Sequence, residues 1–267
     1  MSEFGGYVQE IFPAPKITRA KDAQEAAESF RSDVRTGKFI PGPEFIVDSP
    51  NTGPKEYRTL HRTIKSGQDY WSEWKILGFA NHPLPVSSRS FVLSTEHQEV
   101  GLLPETIRGS VDTYAQGQGF AGPQELITLA ILRNEANRLG KPIVWKVDDM
   151  NGGRLKKFEA KYAKDQTPEN LQLVEAQRKE HEAWLALYKD RLGMKNIGTS
   201  AKFGYEMYMR EVEPDQNLPN LEAVSQLRLQ RSEDGFDYQL QSSSLIKGDH
   251  KMHQQARLSE YEQRLQS

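Results

Sequence analysis

The segment that most constrains this chain is a helix that runs straight into a strand. Residues 123–139 carry Leu126, Ile127, Leu129, Ile131 and Leu132, begin at Pro123 and stop before Gly140. Proline just inside the start and glycine just past the end are the usual helical asymmetry, so the spacing predicts a buried helix over 123–139. Lys141-Pro142-Ile143-Val144-Trp145-Lys146-Val147-Asp148-Asp149-Met150 follows at once. It reads as a short buried strand carrying one lysine. Side chains alternate across a strand, which puts Ile143, Trp145 and Val147 on one side and Val144, Lys146 and Asp148 on the other. So short a connection predicts that helix and strand are neighbours. Lys146 is then either a strand-end lysine reaching solvent or a group held in a cleft.

The other elements fall around this pair. Residues 1–18, mixed Gly, Pro and scattered apolar positions, read as a flexible arm. Ala23, Ala26, Ala27, Phe30 and Val34 stand at helical spacing over 20–36 and stop at Gly37. A short strand is expected at Phe45–Val47, then strands near 56–64, 74–79 and 89–95, separated by turn-rich pieces. Residues 104–116 are expected to form a helix. Leu155, Phe158 and Tyr162 mark another, and Thr167-Pro168-Glu169 supplies an N-cap, a first-position proline and a first-turn acid for a third. That third helix carries Leu171, Val174, Trp184, Leu185, Tyr188 and Leu192 and ends at Gly193. Residues 154–192 therefore read as a helical hairpin with solvated charged faces. Phe203–Val212 reads as a strand. Alternation at Leu227 and Leu229, and at Phe236, Tyr238 and Leu240, flanks Asp234-Gly235 as a β-hairpin. A charged helix is expected near 250–266.

Several chemistries are excluded by what is present. The chain has 267 residues, no cysteine and a net charge of −2, so disulfides, thiolate zinc sites and a nucleic-acid-recruiting global field are not expected. The first residues show no basic segment followed by an apolar run, and no window approaches the ~20 apolar residues of a spanning helix. His61, His82, His97, His181, His250 and His253 form no HExxH-type cluster, so no metal site is expected. Gly117, Gly119 and Gly122 precede a helix without the strand a nucleotide-binding loop needs.

Two segments resemble a known family. Trp145-Lys146-Val147-Asp148-Asp149-Met150 is similar to the Trp-Lys-Val-Thr-Asp-Met segment of the bacterial type III effector phosphothreonine lyases. Met207-Tyr208-Met209-Arg210, followed by Pro214-Asp215-Gln216-Asn217, resembles that family's Leu-Tyr-Ile-Lys strand and trailing Pro-Asp-Gln. These enzymes eliminate phosphate from a phosphothreonine side chain without a metal. The resemblance implies that Lys146 is the base removing the α-proton and that Tyr208 lines the same pocket. It further implies Arg89, Arg228 and Arg231 as phosphate contacts, no cofactor, and a secreted effector acting in a host cytoplasm. The family's Lys-Phe-His strand, which supplies the general acid, has as counterpart Ser90-Phe91-Val92, so His61 or His82 would have to substitute. The physical case for Lys146 is separate: an elimination base must be a neutral amine near pH 7, and desolvation lowers a lysine pKa.

Other readings stay open. Tyr57-Arg58, Ser94-Thr95 and Glu211-Val212-Glu213 resemble, in order, the arginine, Ser-Thr and Glu-x-Glu elements of ADP-ribosyltransferases. Arginine would hold the dinucleotide phosphates and a glutamate the developing ribose cation. A non-catalytic alternative has Trp184 and Tyr188 presenting a helix face to a partner protein. The fold expected is α+β: one domain over 19–267, a mainly antiparallel sheet flanked by helices, with the hairpin 154–192 as an insertion. It is expected to be a monomer, with a protein as substrate and neither nucleic acid nor membrane as partner.

Overall fold

The computed structural model describes residues 16–48, 55–66, 69–79, 82–94, 103–115, 120–200, 204–214, 224–230 and 240–244. The chain is α+β with a mixed, mostly antiparallel sheet, and it groups into two compact units. The first comprises Met1–Ile143 and Glu213–Ser267, the second Val144–Val212.

The first unit is built on long antiparallel strands. Its strands are β1 (Ile40–Pro41), β2 (Glu44–Asp48), β3 (Lys55–Ser66), β4 (Asp69–Phe79), β5 (Ser87–Ser94) and β6 (Glu105–Thr113). Late in the chain come β10 (Val224–Gln230) and β11 (Leu240–Ser244). The order is β11-β10-β2-β3-β4-β5-β6, with β1 on β3. β10 runs parallel to β2, and the remaining pairs of this unit are antiparallel. Strand alternation gives this sheet two different faces. Arg58, Leu60 and Arg62 of β3 lie opposite Leu77, Lys75 and Glu73 of β4. On that face α1 (Ala20–Arg35) packs Phe30 and Val34 against Leu60, Leu77 and Phe79. Asp33, buried at the inner side of α1, is held by Lys75 from the sheet and by Lys38 at 3.6 Å. The other face carries Tyr57, Thr59, Ile76, Arg89 and Phe91 and takes α2 (Ala121–Leu139). Tyr57 Oη donates to the Phe120 carbonyl (3.4 Å), and Gln124 Nε2 to the Ile76 carbonyl (3.2 Å). There is no room for a side chain at Gly78 because it lies directly under the Tyr57 ring.

The helix expected over 104–116 is strand β6, paired with β5 from Ser87↔Thr113 to Ser94↔Glu105. Its Thr106, Ile107, Val111 and Thr113 are β-branched and stiff in a helix, and pairing with β5 decides the outcome. The hairpin near 227–241 is present as antiparallel β10 and β11, with Leu229 opposite Leu240. Its Asp-Gly turn, the helix near 250–266 and most of the arm at 1–18 lie outside the described residues. Helix α2 ends as expected, with Gly140 left-handed (φ 65°) and capping the Ala136 and Asn137 carbonyls.

The second unit holds β7 (Ile143–Asp148), α3 (Met150–Lys164), α4 (Pro168–Leu185), β8 (Lys195–Thr199) and β9 (Glu206–Val212). A π-helical turn, Ala186–Arg191, extends α4. Its strands stand in the order β7-β9-β8. Helices α3 and α4 form the hairpin read from the sequence, and its turn is pinned locally. Thr167 Oγ1 accepts the Asn170 N–H at 3.3 Å, while Asn170 Nδ2 donates to the Asp165 carbonyl and carboxylate, both at 2.9 Å. No helix among the described residues is long and apolar enough to cross a membrane.

Candidate active site

The second unit gathers polar and aromatic groups where β7 ends. Asp149 leaves the strand with its N–H donating to the Glu206 carbonyl at 2.8 Å, which ties the end of β7 to the start of β9. It then caps α3: Oδ1 accepts the Gly152 N–H at 2.7 Å, a position where the helix dipole favours a carboxylate. Its other oxygen, Oδ2, is 2.8 Å from Nε2 of His181 on α4. Asp149 is 2% exposed, so this carboxylate meets almost no water. An ionised carboxylate only accepts, so Nε2 of His181 carries the proton of this bond. Nδ1 is left as the nitrogen that can take or give one.

The backbone around the pair leaves it little freedom. A Cβ at Gly152 would overlap the Asp149 carboxylate and lie 2.9 Å from His181 Nε2. One at Gly153 would overlap the Tyr205 ring. Glycine at both positions lets the first turn of α3 close onto its neighbours. On α4, His181, Trp184, Leu185 and Tyr188 follow i, i+3, i+4, i+7 spacing and share one side of the helix. Trp184 packs on Tyr188 (ring centroids 4.5 Å) and meets Tyr208 edge-on (5.2 Å). Tyr188 lies in the π-helical turn, a feature that recurs at functional sites. That turn is closed by Arg210, whose Nη1 donates to the Leu192 carbonyl at 2.7 Å. Desolvation lowers the Arg210 pKa from its ordinary value.

Strands β8 and β9 complete the cluster. Asn196 stands opposite Tyr208, and a β-bulge follows it, with Gly198 at φ 109° donating its N–H to Asn196 Oδ1 (2.8 Å). Bulges commonly re-aim a side chain beside a site. Here Asn196 Nδ2 donates to Glu206 Oε2 at 2.9 Å, and Tyr208 Oη donates to the same oxygen at 3.4 Å. Lys156 of α3 reaches Glu206 Oε1 at 3.4 Å. Desolvation pushes the Tyr208 pKa up and the Asn196 hydrogen bond opposes it. The Glu206 and Asp149 carboxylates add to the rise.

The residues named from the sequence distribute as follows. Lys146, half-buried on β7, and Tyr208, buried on β9, stand on neighbouring strands. Desolvation raises the Asp148 pKa and the Lys146 ammonium pulls it back, so Lys146 has a carboxylate two residues along its own strand. Arg89 belongs to the first unit, is 5% exposed, and faces Glu125 at 3.4 Å and Thr128 Oγ1 at 3.3 Å under α2. Arg228 lies on β10, and Arg231 is outside the described residues. His61 stacks on Trp74 (4.8 Å), and His82 Nδ1 accepts the Leu84 N–H at 3.0 Å. Of the transferase-like elements, Arg58 is bound to Glu56 at 2.8 Å and lies over Phe79. Ser94 closes β5 in a buried position, Thr95 is outside the described residues, and Glu211 is exposed on β9.

Sequence reasoning missed Asp149 and His181. The signals were present: an aspartate three residues before a glycine at a strand-to-helix junction, and a histidine one turn before Trp184 on the stripe that also carries Tyr188. No group of three or more His, Asp or Glu residues able to hold a metal occurs among the described residues. No protein-family model and no curated protein matches this chain.

Proposed function

We propose that Val144–Val212 carries an acid–base active site acting on a protein side chain, and that its reaction is elimination of phosphate from phosphothreonine. The observation that carries this reading is the buried Asp149–His181 pair at the end of the strand that holds Lys146. The resemblance of Trp145–Met150 and Met207–Arg210 to the lyase family lacks a histidine as general acid. His181 supplies one in the same unit, oriented by a carboxylate, as proton-transfer histidines commonly are.

In this reading Lys146, once it has lost its own proton to solvent against the pull of the Asp148 carboxylate, takes the α-proton of the phosphothreonine. The electron pair forms the Cα–Cβ double bond as the Cβ–O bond breaks. Phosphate leaves with a proton delivered from Nδ1 of His181, which starts as the imidazolium with both nitrogens protonated and ends as the imidazole whose Nε2–H is held by Asp149. Tyr208, held neutral by its surroundings, hydrogen-bonds the substrate. The same resemblance makes the protein an effector whose substrate is a host phosphoprotein.

Mass spectrometry of phosphothreonine peptides, incubated with and without NAD, tests the assignment. The expected product is the dehydrated residue plus free phosphate, independent of NAD and lost in both Lys146→Ala and His181→Gln. Transfer of ADP-ribose instead would favour the Arg58, Ser94 and Glu213 reading. Undiminished phosphate loss in Lys146→Ala would sink the lyase assignment.

A further inference from the structure

The close approach that Gly152 permits also places a glycine directly after an asparagine. Asn151-Gly152 is the one Asn-Gly pair in the sequence, and it lies in the first turn of α3, just inside the Asp149 cap. An asparagine side chain is most open to attack by the next backbone nitrogen when glycine follows, because no Cβ shields that nitrogen and the chain there moves freely. The fold cannot avoid this by exchanging Gly152, since any Cβ there would overlap the Asp149 carboxylate. What restrains the nitrogen is the cap. The first N–H groups of a helix have no carbonyl partner within it, and that of Gly152 is held by Asp149 Oδ1 at 2.7 Å. Closing a five-membered ring between Gly152 N and Asn151 Cγ needs an Asn151 ψ outside the helical range, so an intact first turn blocks it.

We infer that Asn151 is a site of deamidation gated by the Asp149 cap. When the first turn opens, the Gly152 nitrogen gives its proton to solvent and bonds to Asn151 Cγ. The bond from Cγ to the side-chain nitrogen breaks, that nitrogen takes up a proton and leaves as ammonia, and a succinimide remains. Water then opens the ring at either carbonyl. One product is aspartate at position 151. Helix α3 has no acid in its first turn, and the helix dipole favours one there, so this product is tolerated. The other is isoaspartate, whose main chain runs through Cβ and is longer by a methylene. It cannot keep the spacing between Asp149 and the Gly152 N–H, so the cap is lost and Asp149 is drawn away from His181. The modification thus disables the pair irreversibly, whatever reaction the pair performs.

Peptide mapping by mass spectrometry tests this on the full chain, held at neutral pH and physiological temperature, with aspartate and isoaspartate products resolved by fragmentation. Loss of a cap shifts opening of a first turn by about 2- to 30-fold, so Asp149→Ala should convert Asn151 about 10-fold faster than the parent. Asp149→Asn, whose side-chain oxygen still accepts the Gly152 N–H, should stay within about 2-fold of the parent. The parent alone supplies a second measurement that does not depend on whether Asp149→Ala folds. Sub-denaturing urea should raise its rate at Asn151 in step with hydrogen exchange of the Gly152 amide, ahead of global unfolding. Equal rates in Asp149→Ala and the parent, release in Asp149→Asn as large as in Asp149→Ala, or conversion that tracks only global unfolding would each overturn the gate. In purified isoaspartate protein, the nitrogen-15 spectrum of His181 should lose the signature of an Nε2–H bound to carboxylate. An unchanged spectrum would overturn the loss of the pair.

Discussion

Nε2 of His181 and Oδ2 of Asp149 are 2.8 Å apart, and the backbone of Gly152 passes directly beneath them. The pair joins two helices that are consecutive in the chain, and Asp149 serves at once as helix cap and as partner of the imidazole. That double use makes the two roles separable by substitution.

Asp149→Asn should separate them. Asparagine caps a helix about as well as aspartate, so stability should change by less than about 1 kcal/mol. Its amide, however, can donate to Nε2, which moves the imidazole proton to Nδ1 and reverses the roles of the two nitrogens. Turnover should fall by about 100-fold or more, the usual scale of positioned acid–base catalysis. Asp149→Ala should lose the cap as well, at about 0.5–2 kcal/mol. Nitrogen-15 spectra of the imidazole, read beside urea melts, report tautomer and stability separately.

Gly152→Ala should behave opposite to an ordinary helix substitution. Replacing an interior glycine by alanine normally stabilises a helix by about 0.5–1 kcal/mol. Here the new methyl would overlap the Asp149 carboxylate, so the pair must open or the helix must shift. The variant should be less stable than the parent, with turnover down about 100-fold from misplacement of the imidazole. Gly122→Ala, in the first turn of α2, is the control, because nothing among the described residues lies within 4 Å of a Cβ there. It should be neutral or stabilising in the same urea titration.

Much of the fold was legible because it rests on local periodicity. Helix α1 shows its Ala23, Ala27, Phe30 and Val34 stripe in the sequence, and α2 its proline and glycine boundaries. Strand β6 was not legible, because Leu103, Ile107 and Val111 recur every four residues and imitate a helix. Only its partner β5, distant in sequence, decides otherwise. Strand β8 was unreadable for a different reason: Lys195–Thr199 is exposed throughout and has no apolar alternation. Of the candidate site, only the strands that carry it were legible. Lys146 and Tyr208 sit on strands whose apolar neighbours announce them. His181 lies within a run of charged residues, and only the fold brings it to Asp149.

Alkaline pH should destabilise the protein through tyrosines held neutral. Burial raises the pKa of Tyr57, Tyr114 and Tyr208 above the ordinary phenol value. In the unfolded chain they ionise near about pH 10. Below that pH both states hold the same protons and these groups add no pH dependence. As pH rises above it, the unfolded state loses protons that the folded state keeps, so stability declines towards the folded pKa values. Phenolate absorbance of these three should therefore appear together with unfolding. Tyr57→Phe, which also loses the bond to the Phe120 carbonyl, should reduce the alkaline slope. An unchanged slope would exclude Tyr57 as its main source.

The buried pair of Arg89 and Glu125 gives a prediction that bears on phosphate binding as well as stability. Arg89 is 5% and Glu125 0% exposed, with Nη1 and Oε1 3.4 Å apart. Removing one partner of such a pair strands a charge in a poorly solvated place, which typically costs about 3–5 kcal/mol, whereas replacing both by apolar residues of similar size is often close to neutral. Glu125→Leu and Arg89→Met should each lower the urea midpoint strongly, and the double variant should recover most of the loss. If Arg89 instead serves as a phosphate contact, inorganic phosphate should raise the melting temperature of the parent but not of Arg89→Met. A strong double-mutant coupling with no phosphate-dependent shift would assign Arg89 to holding α2 against β5 and leave the phosphate to other groups.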